Sequence, residues 1–276
     1  MNPIDVNYKI GNKLIKLSLE GETFVGENKI LVDEDINLID DLPWSDKGFS
    51  INPFLNTKEN DKFIAGITEQ VKSLIVEAGG IVNDLFTLER YHLYVDDEIH
   101  LKIAHIIKPG FAVDKFPINF ELVHNRVSEI VNKKVSTESN HEALLGYHLR
   151  IVRPLKFQDS NPPHRDVWLD RLRNAVNIYV PIAGSNNNSC LPLIPGSHLA
   201  KESDIERTKD GALLNGTRYT VPCVISYNNK ELSLERIDVK NNQIMVFSPY
   251  LIHGGGYNFQ ENKTRVSLEA RFWKQV

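Results

Sequence analysis

Cysteine is scarce in this sequence: Cys190 and Cys223 are the only two in 276 residues. Two cannot build the disulfide framework of a small secreted domain, and their positions match no zinc-binding spacing. Such usage fits a reducing compartment. An excess of one charge is lacking too, since 32 basic residues face 36 acidic ones for a net charge of -4. No global field therefore draws the chain to nucleic acid or to an anionic membrane. No aromatic–basic stripe offers a nucleic-acid surface either. No run approaches the ~18 uninterrupted apolar residues of a spanning helix. The opening MNPIDVNYKIGNKLIKL has no continuous apolar segment of the kind a signal peptide carries. Internal repeats, low-complexity tracts and Pro- or Ser-rich linkers are missing as well. Together these absences predict one soluble, cytoplasmic domain with a small-molecule substrate and no nucleic-acid or membrane partner. They leave the oligomeric state open.

What is present suits a full core, with 41% hydrophobic and 25% charged residues. Residues 8–32 mix β-branched residues with Gly and Asn turns and predict two or three short strands. Between Glu59 and Ala78 the positions Phe63, Ile64, Ile67, Val71, Leu74 and Ile75 recur at helical spacing, and Gly79-Gly80 stops that helix. A second helix is predicted over Phe120–Val131, with Asn119 as its N-cap. Residues 84–108 are ambiguous between helix and strand. Beyond residue 143 short strand candidates follow one another at 145–153, 174–182, 190–194, 218–226, 232–239, 243–248 and 264–273. Their spacing predicts an antiparallel sandwich or barrel, with the upstream helices bracing one face. We therefore read residues 1–276 as one domain, with N-terminal strands and bracing helices over 1–143 and a metal-binding core over 144–273.

Three stretches carry chemistry. In Pro162-Pro163-His164-Arg165-Asp166, residues i and i+2 of an extended chain point the same way, so His164 and Asp166 can reach one point. His253 follows the strand candidate Ile244–Phe247 and precedes Gly254-Gly255-Gly256. Two imidazoles and one carboxylate on one face of a metal leave open positions, as in the facial triad of non-haem Fe(II) oxygenases. Iron needs those positions for 2-oxoglutarate and for O2. Arg265 and Ser267 stand two apart on the last strand and share a face. A guanidinium fork with a hydroxyl suits the distal carboxylate of 2-oxoglutarate. Each stretch alone is a weak signal, and their order and spacing give it weight. Arg271 shares that face by alternation and competes for the anchoring role.

On these residues the sequence resembles the phytanoyl-CoA dioxygenase-like family of Fe(II)/2-oxoglutarate-dependent oxygenases. The resemblance extends to Leu191-Pro192-Leu193-Ile194-Pro195-Gly196-Ser197-His198, similar to the family's strand and turn ending in P-G-S-H, and to Asn174–Ile182 before it. It covers roughly residues 145–273. Val239–Phe247 departs from the pattern, with Asn241-Asn242-Gln243 where the family carries Gly-Asp. The resemblance implies a mainly β fold with flanking helices, a double-stranded β-helix (a cupin-like jelly roll). It further implies His164, Asp166 and His253 as metal ligands, Arg265 and Ser267 as the 2-oxoglutarate anchor, and hydroxylation with release of succinate and CO2. Related halogenases lack the carboxylate ligand, so Asp166 points to hydroxylation or another oxidation. A cupin-like metal-dependent isomerase or epimerase, and a non-catalytic binding protein on an oxygenase scaffold, remain alternatives. Arg265 with Ser267 argues against the first, and the complete set of five positions against the second.

The substrate is less legible. The strand 145–153 puts Tyr147, Leu149 and Ile151 on one face and His148, Arg150 and Val152 on the other. His148 and Arg150 are substrate candidates, and Arg153, Lys156, Arg165, Arg171 and Arg173 lie close by. This cluster is either a pocket for an anionic group or a solvated edge paired with Asp159, Asp166 and Asp170. Asn177 is a candidate for the 2-oxoglutarate C1 carboxylate, and His198 for a polar group near the substrate. A polar, loop-like Leu199–Gly216 is expected to form a lid. His92, His100, His105, His124 and His141 fall outside any motif, and Cys190 reads as a buried small residue.

Overall fold

The computed structural model describes residues 3–138 and 146–275. His141 and the first residue of the strand predicted at 145–153 lie outside the described residues. Strands β1 (Ile4–Ile10), β2 (Lys13–Glu20), β3 (Thr23–Val25) and β4 (Phe49–Pro53) precede helices α1 (Thr57–Glu77), α2 (Asp97–Ile107) and α3 (Glu121–Val131). Then come β5 (Val135–Ser136), β6 (His148–Val152), β7 (Ala175–Ala183), β8 (Pro192–Leu193), β9 (Ile205–Thr208), β10 (Ala212–Leu214) and β11 (Thr217–Tyr219). The chain ends with β12 (Val224–Tyr227), β13 (Leu232–Arg236), β14 (Gln243–Phe247) and β15 (Arg265–Lys274).

The helices form for local reasons. Asn56 and Glu59 make a capping box at the start of α1, with bonds of 3.0 and 3.1 Å. Its end is closed by Gly79 at φ +94°, whose N–H donates to Val76, while the Gly80 N–H donates to Ile75. Phe63, Ile67, Val71, Leu74 and Ile75 form its buried stripe. The ambiguous stretch 84–108 resolves as a short 3-10 turn and then α2, capped by the Asp96 side chain on the Ile99 N–H at 2.8 Å. Asn119 accepts from the Glu121 N–H at 3.0 Å, so it caps α3 although the helix boundary falls at Phe120.

The larger sheet runs β4-β14-β7-β15-β5, and β6 also pairs with β15; every pairing in it is antiparallel. Alternation gives this sheet two different faces. Val176, Ile178, Val180 and Ile182 of β7 join Val266, Leu268, Ala270 and Phe272 of β15 in the core under α1–α3. The opposite face turns Asn177 and Tyr179, Phe247, and Arg265, Ser267, Glu269 and Arg271 into the barrel. A second sheet, β11-β10-β2-β1-β13-β8, and a small one, β12-β9-β3, close the other side. The result is the mainly β jelly roll with helices on one face.

Three sequence expectations need correction. The barrel is not confined to residues 144–273, because β1 and β2 enter the second sheet and β4 edges the first. Val6, Tyr8, Ile10, Ile15, Leu17 and Leu19 alternate inward, and that buried stripe needs a sheet to belong to. Leu199–Gly216 is not an open lid. It forms β9 and β10, which bury Ile205, Thr208, Ala212 and Leu214. The single strand predicted at 218–226 is two, β11 and β12, split around Pro222, which has no N–H to donate. No helix among the described residues is long and apolar enough to cross a membrane.

Candidate metal centre

His164 and His253 meet across an isolated antiparallel bridge. The His164 N–H donates to the His253 carbonyl at 2.8 Å, and the His253 N–H returns the bond at 3.0 Å. The imidazole centroids stand 4.6 Å apart. Leu193 lies on the other side of His253, so β8 and the His164 loop hold that residue between them. Gly254 makes the close approach possible. Its φ is +101°, and a Cβ there would sit 2.6 Å from the Pro162 carbonyl oxygen. Asp166 is drawn in by its N–H, which donates to the Pro249 carbonyl at 3.1 Å.

The three side chains converge. His164 Nε2 is 3.1 Å and His253 Nε2 is 3.8 Å from Asp166 Oδ1. All three residues are buried, and their ligand atoms lie within 4.8 Å of one another. Each imidazole is oriented by its other nitrogen: Nδ1–H of His164 donates to the Pro162 carbonyl at 2.7 Å, and that of His253 to the Leu251 carbonyl at 2.9 Å. A carbonyl can only accept, so both Nε2 lone pairs face the shared point. The second oxygen of Asp166 accepts from Asn177 Nδ2 at 2.9 Å and from Arg271 Nη2 at 3.2 Å. Residues 177 and 271 are directly paired across β7 and β15, which is why both reach the same oxygen. Burial opposes ionisation of Asp166, but Arg271 and the two imidazoles hold its carboxyl well below the usual range. Burial, and then His164, pushes His253 down to about 4. A carboxylate and a neutral imidazole are the forms that bind a metal.

The centre opens into a cavity lined among others by Leu191, Phe247, Arg150, Glu269 and Arg265. Arg265 is 2% exposed and donates to Ser267 Oγ at 3.0 Å. Its Nε has no hydrogen-bond partner and, among the described residues, no acidic side chain pairs with it. Gly256 leaves room for this guanidinium, since a Cβ there would lie 3.4 Å from Nη2. Arg271 is engaged by Asp166 instead. Asn177 Nδ2 also donates to Asp166, and the residue lines the cavity beside the metal ligands.

The other candidates separate. Arg150 lines the cavity, with Nη2 3.3 Å from Glu269 Oε2. His148 lies in an outer groove, packed against Gly110. His198 is not at the cavity; it is buried against Gly48 and Leu251, as a residue following a Pro-Gly bend with no open space beside it. The basic cluster is largely neutralised. Arg153 pairs with Asp159 and Asp97, Lys156 with Asp97, Arg165 with Glu202 and Arg173 with Asp35. Only Arg171 among these has no ion pair within the described residues, and it borders the outer groove. One residue of the centre escaped the sequence reading, and another was counted there only as part of the basic cluster. Glu269 was signalled by alternation along Arg265, Ser267, Glu269 and Arg271. Arg165, fully buried between the two ligands, also donates to the Ser197 and Ala200 carbonyls and so ties the ligand loop to the P-G-S-H turn.

His198 supports one expected result. Burial pushes its imidazole down to about 4, so the folded protein keeps it neutral. The unfolded chain takes up this proton below about pH 6.5. Its contribution is complete above that pH and is lost as the pH falls towards 4. In His198→Gln the pH dependence of urea unfolding between 6.5 and 4 should lose up to about 1.4 kcal/mol per pH unit, one proton's worth. An unchanged slope would show that this imidazole protonates freely in the folded state.

Comparison with known proteins gives the family. The phytanoyl-CoA dioxygenase (PhyH) family matches residues 81–265. No curated protein matches the chain in sequence. Among solved structures, AviO1 from Streptomyces viridochromogenes Tue57 superposes with a TM-score of 0.48 at 16% identity, over 83% of this chain and 91% of that one. EctD from S. alaskensis, in its apoform, gives 0.46 at 14% identity, over 92% and 85%. The epimerase SnoN, in complex with Fe3+, alpha ketoglutarate and nogalamycin RO, gives 0.43 at 12%, over 84% and 80%. With the family match spanning more than half of its length, the chain belongs to the phytanoyl-CoA dioxygenase family of Fe(II)- and 2-oxoglutarate-dependent oxygenases, which use O2.

Proposed function

We propose that this protein is a 2-oxoglutarate-dependent dioxygenase that hydroxylates a small polar metabolite carrying an anionic group. His164, Asp166 and His253 hold Fe(II), and Arg265 with Ser267 holds the distal carboxylate of 2-oxoglutarate. The observation that carries this reading is Arg265. A buried guanidinium with no carboxylate bonded to it costs several kcal/mol, and Glu269 feels its charge without making an ion pair with it. Here it faces the cavity that the two imidazoles also line, with the Asp166 carboxylate 3.1 Å from His164 Nε2. A dicarboxylate spanning metal and guanidinium offsets that cost, and the mixed nitrogen and oxygen donors suit Fe(II).

When bound, iron and 2-oxoglutarate supply O2 activation through oxidative decarboxylation to succinate and CO2. The chain supplies position and exclusion of water. The Pro162 and Leu251 carbonyls fix the imidazole faces. Asn177 and Arg271 hold the second oxygen of Asp166, leaving Oδ1 for the metal. Phe247 packs edge-on to His253, with centroids 5.1 Å apart, and screens that ligand from water. Arg150 stands on the open side, where an anionic substrate group reaches it.

The purified chain with Fe(II), ascorbate and 2-oxoglutarate in air is expected to release succinate slowly, and faster when a small polar anion is supplied as substrate. Omitting Fe(II) should stop both. If 2-oxoglutarate neither binds nor turns over in the iron-loaded protein, the reading is wrong.

A further inference from the structure

We propose that the Arg150–Glu269 pair reads the substrate, and that the substrate is a small dipolar molecule. It presents an anionic group to Arg150 and an ammonium group to Glu269. This rests on the reading of the metal centre above and sharpens it, since an anionic group alone is then only half of what the site accepts.

The pair is built differently from the structural ion pairs nearby. Arg153 grips Asp159 through two bonds of 2.8 and 2.9 Å, and their side chains are only 4% and 1% exposed. Arg150 touches Glu269 through one contact of 3.3 Å, with side chains 33% and 16% exposed. A guanidinium has five N–H donors, and here one is used by a protein acceptor among the described residues. Glu269 Oε1 has no donor among them. The pair is therefore open, and it is open towards the metal cavity, which both residues line.

Arg150 also borders the outer groove between α2, β6 and the loop carrying Gln158, Asp159 and Asn161. Arg150 and Asn161 are shared by groove and cavity. A molecule passing from one to the other passes Arg150, and Glu269 stands beside it in the cavity. Glu269 is ionised there. Burial opposes its charge, but Arg150, Arg271 and Arg265 hold its carboxyl at about 2. A simple anion gains Arg150 and meets the Glu269 carboxylate. A simple cation gains Glu269 and meets Arg150 and Arg271. Opposed charges at such distances are felt strongly in a partly buried site. Only a molecule carrying both groups satisfies both residues.

The native protein, loaded with Fe(II) and 2-oxoglutarate, tests this with a matched panel: free L-amino acids including cyclic imino acids, the corresponding amino-acid amides, and the corresponding 2-hydroxy acids. Succinate release above the substrate-free rate is the readout. At least one zwitterion is expected to stimulate it, with its amide and its hydroxy acid needing about 10-fold higher concentration. Glu269→Gln should narrow the gap between zwitterion and hydroxy acid, and Arg150→Gln the gap between zwitterion and amide. Because the panel is run on the native protein, a variant that fails to fold leaves the test intact. Equal stimulation by the singly charged analogues, or none from any zwitterion while substrate-free turnover persists, overturns the proposal alone. Absence of 2-oxoglutarate binding and turnover in the native protein removes the proposal together with the reading beneath it.

Discussion

Replacing Asp166 with alanine should abolish substrate oxidation and also destabilise the metal-free protein. The two effects have different causes. Turnover is lost because one of three metal donors disappears, and the imidazoles of His164 and His253 alone present an incomplete face. Stability is lost because Asp166 is the hydrogen-bonded partner of Arg271, which donates to it at 3.2 Å. Removing one member of a buried pair leaves an uncompensated charge, at a cost of roughly 3–5 kcal/mol. Glu269 sits near Arg271 and lowers that figure towards the bottom of the range. Anaerobic Fe(II) titration and urea unfolding separate the effects. In Asp166→Ala with Arg271→Leu most of the stability should return while turnover stays absent. Unimpaired oxidation in the single variant would remove Asp166 from the metal centre. Unchanged stability would mean that Arg271 finds another partner.

The parts of the fold that were legible in the sequence are those governed by local rules. The α1 stripe and its Gly79-Gly80 stop obey helical spacing and the left-handed end. The interior strands β7 and β14 announce themselves as apolar runs rich in Val and Ile. The place of β1 and β2 was not legible, because β1 lies parallel to β13, more than 200 residues away, in the register Tyr8↔Leu232. Nothing local encodes such a pairing. Leu199–Gly216 misled for a related reason. Its charged residues alternate with a few apolar ones, and the short strands β9 and β10 bury only those few.

At the site, alternation was informative and charge counting was not. The i, i+2 rule placed His164 with Asp166, Arg265 with Ser267, and Arg150 on the inner face of β6. Counting basic residues between 150 and 173 suggested an anion pocket, yet most of those charges find carboxylates: Asp97 and Asp159 nearby, Asp35 and Glu202 from distant segments. Partners that come from other elements cannot be read from spacing. Glu269 shows the converse. It stood in plain view between Ser267 and Arg271, but a glutamate on a strand reads as a solvated edge until β6 is known to lie beside it.

Arg265→Gln should weaken 2-oxoglutarate binding roughly 10- to 150-fold. A charge-assisted bond to a carboxylate contributes about 1.5–3 kcal/mol net, and about 1.4 kcal/mol corresponds to one decade. Arg271 was the competing anchor, since alternation puts it on the same face of β15. The hydrogen bonds now separate the two. Arg271 is tied to Asp166, whereas Arg265 donates to Ser267 and, among the described residues, keeps its Nε without a partner. The variants should therefore fail differently. Arg271→Gln disturbs a metal ligand's orientation, and lost support of that kind costs about 10- to 100-fold in metal affinity or activity. Arg265→Gln should leave Fe(II) affinity within about twofold and shift the 2-oxoglutarate titration instead. Arg265→Lys keeps the charge but loses the planar fork, so its affinity should fall between native and Gln. Anaerobic titration of 2-oxoglutarate into each Fe(II)-loaded variant decides the matter. Native affinity in Arg265→Gln with a loss in Arg271→Gln would move the anchor to Arg271.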